Sequence, residues 1–577
     1  MDMPATVIDE MVSLLRKKGT MSFRSLAKAL SIDEELVEKF ALCMEKAGLA
    51  YLHYPINMIE NPSVTYTAKP PPPKPGVKAG KVLKKYDITK KGHVSGQVRI
   101  LDSPEERRPV YLISLPEASP ATRSYLESVK LEASKRSQVW ISERNPDERE
   151  KLYQSRKRMV DDIIGRDLSP SKQDMGQLTS IVLNEMYGLG ELEALIDDDQ
   201  LEEIVINAAK QPVSVYHKKL GWLRTNIVLE TEAEIENFSQ QIARKVGRQI
   251  STLNPILDAH LSSGERVNAT LHPVSAFGNT ITMRLFAENP WTITSFIKKE
   301  NNAMSPEMGA LLWQAMHYEM NVLVAGGTAS GKTSALNALL ALIQPFQRIV
   351  TIEDTRELYL PTYQWNWVPL VTRMPNPEGL GEVTMLDLMV NSLRMRPDRI
   401  VLGEVRRKRE AEVFFEAMHT GHSVYSTVHA DTGQQVLKRL IEPPIGIPAS
   451  QVEDVHLLLV QYRDRRRNLR RTNEISEVLC GITGPELNRV FTWKPRTDAF
   501  ESARAPHRYL EELNLRTGMT ENEIKEDRKE KEKVLLWMLK HGYESIEQVG
   551  QVMKAYYADI LGIVRAAEKN TSPKKVL

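Results

Sequence analysis

Apolar positions between residues 5 and 66 recur at helical spacing, with Ile8, Met11, Val12, Leu14 and Leu15 marking a first helix that Gly19 is placed to end. Phe23, Leu26, Ala27 and Leu30 mark a second, and Ser31 with Glu34 carries a capping-box signature for a third, with Leu36, Val37, Phe40 and Met44 inside. Two β-prone stretches, 49–54 and 64–66, flank a turn region and predict a ribbon. Residues 86–113 are again β-prone, and charge-rich helical stretches follow from Pro116-Glu117 to a last one at 181–195. From Asp197 the pattern predicts strands at 203–207, 213–217 and 222–226, a helix at 232–246, and a further apolar stretch at 281–286. Beyond a second linker at 287–291, short apolar strands (one from Asn321, one from Arg348, one at 400–402 and one that delivers His429) and a helix from Ser334 make an α/β pattern.

The first unit has the pattern of a winged helix. A winged helix suggests DNA, but its presumed recognition helix, 33–46, carries Glu34, Glu35, Glu38 and Glu45, a face that repels phosphate. Protein docking therefore fits it better than DNA reading. Lys69-Pro-Pro-Pro-Pro-Lys-Pro-Gly76 after it predicts an extended spacer. With 577 residues the chain holds more than one core. Lys plus Arg, 77, balances Asp plus Glu, 75, so net charge does not point to nucleic acid. Two cysteines, Cys43 and Cys480, exclude a tetracysteine zinc module and a disulfide framework. No signal pattern and no apolar run of ~20 residues occur, so a cytosolic protein is expected.

Candidate chemistry is concentrated after residue 320. Asn321-Val-Leu-Val-Ala-Gly326 runs into Gly327-Thr328-Ala329-Ser330-Gly331-Lys332-Thr333-Ser334, the complete phosphate-binding loop pattern between a strand and a helix. Its backbone N–H groups cradle phosphates, Lys332 reaches the β and γ phosphates, and the Thr333 hydroxyl suits Mg²⁺. Next, the strand 348–352 ends in Glu353, Asp354 and Glu357, placed to hold Mg²⁺ or orient a water, or else ordinary acids at a strand exit. A third strand ends in Gly403-Glu404: the usual Walker B aspartate is absent, and Glu404 is the candidate to polarise the attacking water. Thr420-Gly-His422 and Thr427-Val-His429 follow, His429 being delivered to the same sheet edge.

Phosphate loop, Ile352-Glu-Asp-x-x-Glu357 aspartate box, Gly403-Glu404 and the histidine box together resemble the secretion ATPases, which power type II secretion, type IV pili and related filaments. The likeness is greatest to the archaeal branch that includes the archaellum motor. It extends through Pro212-Val-Ser-Val-Tyr-His217, Gly264-Glu-Arg-Val267, Pro361 to Arg373 and a tail with Arg528, Trp537-Met-Leu-Lys540 and Tyr556-Tyr557. The resemblance implies a RecA-like P-loop ATPase domain preceded by a PAS-like α+β lobe. It also implies a homohexamer with ATP and Mg²⁺ between lobes, and a peripheral position at the cytoplasmic face of the membrane on a polytopic platform protein. Arg266 and Arg284 match the lobe arginines that neutralise phosphoryl charge, with Arg244 and Arg248 as weaker candidates; surface ion pairs are the plain alternative. A conjugation-type nucleic-acid motor is the competing function.

The resulting partition is a winged-helix-like unit at 1–68, a proline-rich linker at 69–80, an α+β domain at 81–196, the PAS-like lobe at 197–290, the RecA-like domain at 291–505 and a C-terminal helical tail at 506–577. Arg463-Asp-Arg-Arg-Arg467 with Arg470 and Arg471 is the strongest basic run, either a solvated rim or a contact for acidic loops or anionic headgroups. Cys480, Trp365 and Trp367 are expected to pack.

Overall fold

The computed structural model describes residues 4, 6–55, 61–67, 81–90, 93–103, 108–136, 146–261, 264–285, 290–375, 379–464, 466–467, 469–481 and 484–577. The proline-rich spacer, most of the predicted turn after the first ribbon strand, Arg465 and most of the second linker lie outside them. The chain forms two compact units, 1–285 and 286–577.

In the first unit the expected helices are Val7–Lys18, Phe23–Leu30 and Glu34–Lys46, with a sheet ordered Met21–Ser22, Ser63–Tyr66, Ala50–His53. Thr6 and Asp9 cap the first helix reciprocally, and Gly19 ends it at φ 76°. The capping box at Ser31 does not form: Ser31 terminates the second helix at φ 56°, and Asp33 occupies the N-cap of the third. Acids of that third helix serve the ribbon, since Glu38 accepts from the Tyr54 hydroxyl at 2.8 Å and Glu45 from the Leu52 N–H at 3.0 Å.

These helices do not close a core alone. One buried cluster joins Ile8, Leu26 and Phe40 to Tyr125, Val160 and Val182 of three later helices, Pro120–Arg136, Pro146–Leu168 and Lys172–Tyr187. Phe40 meets Tyr125 edge-on at 5.4 Å, and Asp167 accepts from both Lys39 (2.5 Å) and the Tyr125 hydroxyl (2.6 Å). Three bonds to that carboxylate, Arg166 included, hold Asp167 down at about 2 against the penalty of burial.

A nine-stranded sheet forms the other core of this unit, in the order Ile256–His260, Arg266–Thr270, Thr280–Arg284, Leu201–Ile206, Pro212–His217, Gly221–Val228, Arg108–Ser114, His93–Ser103, Lys81–Lys90. Every pairing is antiparallel except Arg108–Ser114 with Gly221–Val228. The boundary expected at 196/197 therefore falls inside one sheet. Residues 81–114 belong with 197–284, and the helices of 120–187 belong with the N-terminal ones. A short-range pattern reveals strands but not which strand pairs across a hundred residues. Tyr86 and Tyr111 make the join specific, each donating its hydroxyl to Asp198 Oδ2 at 2.7 Å.

The second unit is built on a sheet ordered Trp367–Val371, Ile349–Glu353, Arg399–Leu402, Ser423–Val428, Val322–Gly326, Leu457–Asp464, Leu469–Gly481, Gly484–Lys494, Ala499–Ser502. Its first six strands run parallel and the rest form an antiparallel meander. Central strands such as Ile349–Glu353 and Arg399–Leu402 are buried at every position, which suits a sheet covered on both faces. The tail helices Arg508–Thr517, Glu521–Lys540, Ile546–Ala558 and Ile560–Glu568 share a core with helix Pro306–His317 and so are integral to this unit. Lys531, fully buried, bonds Asp527 and the Tyr556 hydroxyl and lies over the Trp313, Tyr318 and Tyr556 rings. Trp367 packs as expected and bonds Thr351, whereas Trp365, at 74% relative exposure, and Cys480 are exposed. Among the described residues no helix is long and apolar enough to cross a membrane.

Candidate functional site

In an open parallel sheet, ligands bind beyond the carboxyl ends of the strands. Four strands of the second unit deliver their candidates there in adjacent order: Ile349–Glu353, Arg399–Leu402, Ser423–Val428 and Val322–Gly326.

The loop after Val322–Gly326 is the predicted phosphate cradle. Gly326 has φ 152°, and a Cβ there would lie 2.5 Å from the Gln461 carbonyl oxygen and against the Ser330 hydroxyl. Gly331, at φ 96°, N-caps helix Lys332–Leu340 without any side-chain cap, a helix terminus of the kind that suits an anion. Ser330 and Lys332 both donate to the Gly327 carbonyl, at 2.9 and 3.0 Å, which curls the loop on itself. Thr333 and Ser334 follow in the first turn. His429 reaches this loop: its strand pairs in parallel with Val322–Gly326, Ala325 opposite Val428, and its Nε2 shares a 3.2 Å hydrogen bond with the Thr328 hydroxyl.

Arg470 is the site residue that the sequence reading missed. Its Nε donates to the Ala329 carbonyl at 3.2 Å, inside the loop. The signal was the parallel strand Leu457–Asp464, which sets Gln461 against Gly326 and brings the returning hairpin strand alongside. The basic run thus disperses: Arg470 touches the loop, Arg471 is buried in a bidentate pair with Asp498 (2.7 Å for both bonds), and Arg467 pairs with Asp464 at 3.0 Å.

The aspartate box divides its labour. Glu353, 3% exposed, accepts from the N–H groups of Glu357 and Leu358 at 2.9 and 3.0 Å through Oε1. Its Oε2 is buried without a hydrogen-bond partner, and burial pushes the carboxyl up to about 7 although the two amides pull it down. It therefore anchors the loop that carries Glu357. Asp354 accepts from the Thr372 hydroxyl at 3.3 Å and from Arg406 Nη1 at 2.9 Å. Arg406 also donates to Glu404 Oε2 from Nε and Nη2, at 2.9 and 2.8 Å. Gly403 is not demanded by space: a Cβ would make ordinary 3.5 Å contacts with Glu353. Among the described residues no three His, Cys, Asp or Glu side chains cluster to hold a metal. Thr333 beside an open helix terminus nonetheless fits a Mg²⁺ that takes most of its oxygens from a bound triphosphate and water. Arg406 and His429 border a cavity of about 460 Å³ with Asp431, Lys438, Arg439 and Glu442.

In the first unit, register sets Arg266 directly across from Arg284 on neighbouring strands, both exposed. Arg266 forms the ion pair of the plain alternative, 2.9 Å to Asp258, and Arg248 donates to the Asp258 carbonyl at 2.7 Å.

Over 337 residues the chain is 36% identical to an uncharacterized protein of Methanocaldococcus jannaschii, covering 57% of this chain and 60% of that one. It is 32% identical over 274 residues to the type IV secretion system protein PtlH of Bordetella pertussis, covering 44% of this chain and 80% of the relative. The solved VirB11 ATPase of the Brucella suis type IV secretion system is 25% identical over 50% of this chain and 96% of its own, with a TM-score of 0.26, too low to carry an argument. The chain spans only 60% and 32% of the length of two archaeal relatives. The model of the family described as "Type II/IV secretion system protein" matches residues 187–484, just over half of the sequence, and the chain belongs to that family.

Proposed function

We propose that this protein is a Mg²⁺-dependent ATPase that powers assembly of a type IV pilus-like filament or type II-like secretion. The observation that carries the reading is the set of four adjacent strand ends bearing the phosphate loop, the aspartate box, Glu404 and His429, with His429 bonded to the loop itself. In this reading amides of the Gly327–Thr333 loop and the Lys332 ammonium bind the phosphates. Thr333 would hold Mg²⁺, which supplies charge neutralisation when bound. Glu404 orients and polarises the attacking water, and His429 reports the γ phosphate to the loop through Thr328.

Family membership supports a homohexamer working on a membrane platform protein at the cytoplasmic face. A nucleic-acid motor has less support, because the acids of helix Glu34–Lys46 bind its own ribbon and its Lys39 is committed to Asp167. The test is nucleotide binding and phosphate release in the full chain. Lys332→Ala is expected to abolish binding. Glu404→Gln is expected to keep it while turnover falls by about 10²-fold or more. Wild-type turnover in Glu404→Gln would remove Glu404 from its role, and binding without phosphate release in the parent chain would refute the ATPase.

A further inference from the structure

The acids of the aspartate box are placed as if for a metal ion, yet the bonds around Asp354 lead elsewhere. Both of its carboxylate oxygens are engaged by protein groups: Oδ1 by the Thr372 hydroxyl at 3.3 Å and Oδ2 by Arg406 Nη1 at 2.9 Å. The same guanidinium turns its Nε and Nη2 to one oxygen of Glu404, at 2.9 and 2.8 Å. A planar fork with fixed donor directions can bridge two carboxylates only in a defined mutual orientation, which a lysine cannot reproduce. The backbone beneath is fixed as well. Val405 N–H donates to the Thr427 carbonyl at 3.0 Å, and Arg406 and Arg407 N–H donate to Glu410 Oε2 at 3.3 and 3.1 Å, so the segment carrying Glu404 is tied to its neighbouring strand and helix. On the other side, Thr372 N–H donates to the Glu353 carbonyl at 3.0 Å, which seats Thr372 beside Asp354.

We propose that Asp354 and Arg406 are positioning residues rather than metal ligands, forming a relay Thr372–Asp354–Arg406–Glu404 that aims the Glu404 carboxylate at the attacking water. This rests on the reading of Glu404 given above. The relay supplies what the missing Walker B aspartate does not: with Gly403 bearing no side chain, the orientation of Glu404 is set from the adjacent strand through a guanidinium. It accounts for an acidic side chain at the carboxyl end of the sheet whose two oxygens both accept from protein donors.

The test uses the full chain and four variants: Asp354→Asn, Arg406→Ala, Arg406→Lys and Thr372→Val. A misaimed water-polarising group costs on the order of 10–100-fold in turnover without touching ground-state binding. Asp354→Asn and Arg406→Ala are therefore expected to lower kcat by that factor. The KM for ATP, the affinity for a fluorescent ATP analogue and the Mg²⁺ concentration for half-maximal activity should stay at parent values. Arg406→Lys should not restore kcat, and Thr372→Val should lower it less than Asp354→Asn. Because the groups act in series, the Asp354→Asn, Arg406→Ala double variant should be no slower than Arg406→Ala alone. A severalfold rise in the Mg²⁺ requirement of Asp354→Asn would overturn the proposal in favour of direct metal ligation, and multiplicative losses in the double variant would also overturn it. Glu404→Gln, run in parallel, separates the two levels. Parent-like turnover there sinks the role of Glu404 itself, whereas an inactive Glu404→Gln beside a fully active Asp354→Asn sinks only the relay.

Discussion

Replacing Glu353 by glutamine should make the protein less sensitive to rising pH. The side chain is 3% exposed, Oε1 holds the amides of Glu357 and Leu358, and Oε2 has no partner. Burial raises its carboxyl from an ordinary 4.5 to about 7. The folded state therefore favours the protonated carboxyl over the ionised one. Relative stability from this group is fully present below 4.5 and is lost as pH climbs through about 7. At ~1.4 kcal/mol per pH unit the whole rise corresponds to about 3 kcal/mol, an upper figure for a single site. Glutamine keeps an oxygen for the two amides but carries no proton to lose. Urea unfolding at about pH 5 and about pH 8.5 should show the parent chain losing ~2–3 kcal/mol relative to Glu353→Gln across that window. A fixed offset between the variants at every pH, such as a buried glutamine N–H₂ would add, leaves this difference untouched. Parallel pH profiles would refute the account, because they would mean that Glu353 ionises as readily in the fold as in the unfolded chain.

Arg470→Ala should weaken binding of a fluorescent ATP analogue by roughly 10-fold, since a charge-assisted bond to the phosphate loop is worth ~1.5–3 kcal/mol; unchanged affinity would exclude the contact to Ala329 as an ordering element. Lys531→Ala should destabilise the second unit by about 3–5 kcal/mol in chemical denaturation because it removes the cation paired with Asp527 and leaves that carboxylate to the neutral donors Gln314 and Tyr318, and Asp527→Asn combined with Lys531→Met should recover most of that loss. Asp198→Ala should cost more than Tyr111→Phe, roughly 2–3 against ~1 kcal/mol, since it leaves two tyrosine hydroxyls without their acceptor; equal effects would show that the hydroxyls find other partners.

Much of the site was legible in the sequence, because each box lies within a few residues of one strand end and parallel pairing brings those ends together. Gly326 to Thr333, Glu404 and His429 needed only a strand pattern and the order of boxes. What remained hidden depends on contacts distant in sequence. Arg470 read only as part of a basic run, solvated rim or partner contact alike, until the pairing of Leu457–Asp464 with Val322–Gly326 fixed its place. Asp354 and Arg406 are 52 residues apart, so no local pattern signals their bond. In the first unit, periodicity gave the strands at 201–228 and the helix after them to within a few residues. It could not show that Arg108–Ser114 pairs with Gly221–Val228, nor that Phe40 packs on Tyr125. Ser31 illustrates the local limit: a capping signature was overridden because the residue was needed in left-handed conformation to end the preceding helix.

The single parallel pairing between Arg108–Ser114 and Gly221–Val228 has a mechanical meaning. The chain leaves the large sheet after Ser114, completes the N-terminal helical core with residues 120–187, and returns to the same sheet at Leu201. That core is thus a handle on three covalent strings, one from residues 68–80 and two from the helical excursion, and not a bead on one proline-rich thread. Pulling on it loads the edge strand Lys81–Lys90 together with two inner strands, Arg108–Ser114 and Leu201–Ile206. For the same reason residues 1–68 cannot be clipped off as a module: their removal would strip the core around Tyr125, Val160 and Val182 of Ile8, Leu26 and Phe40 and leave an exposed apolar face on what remains.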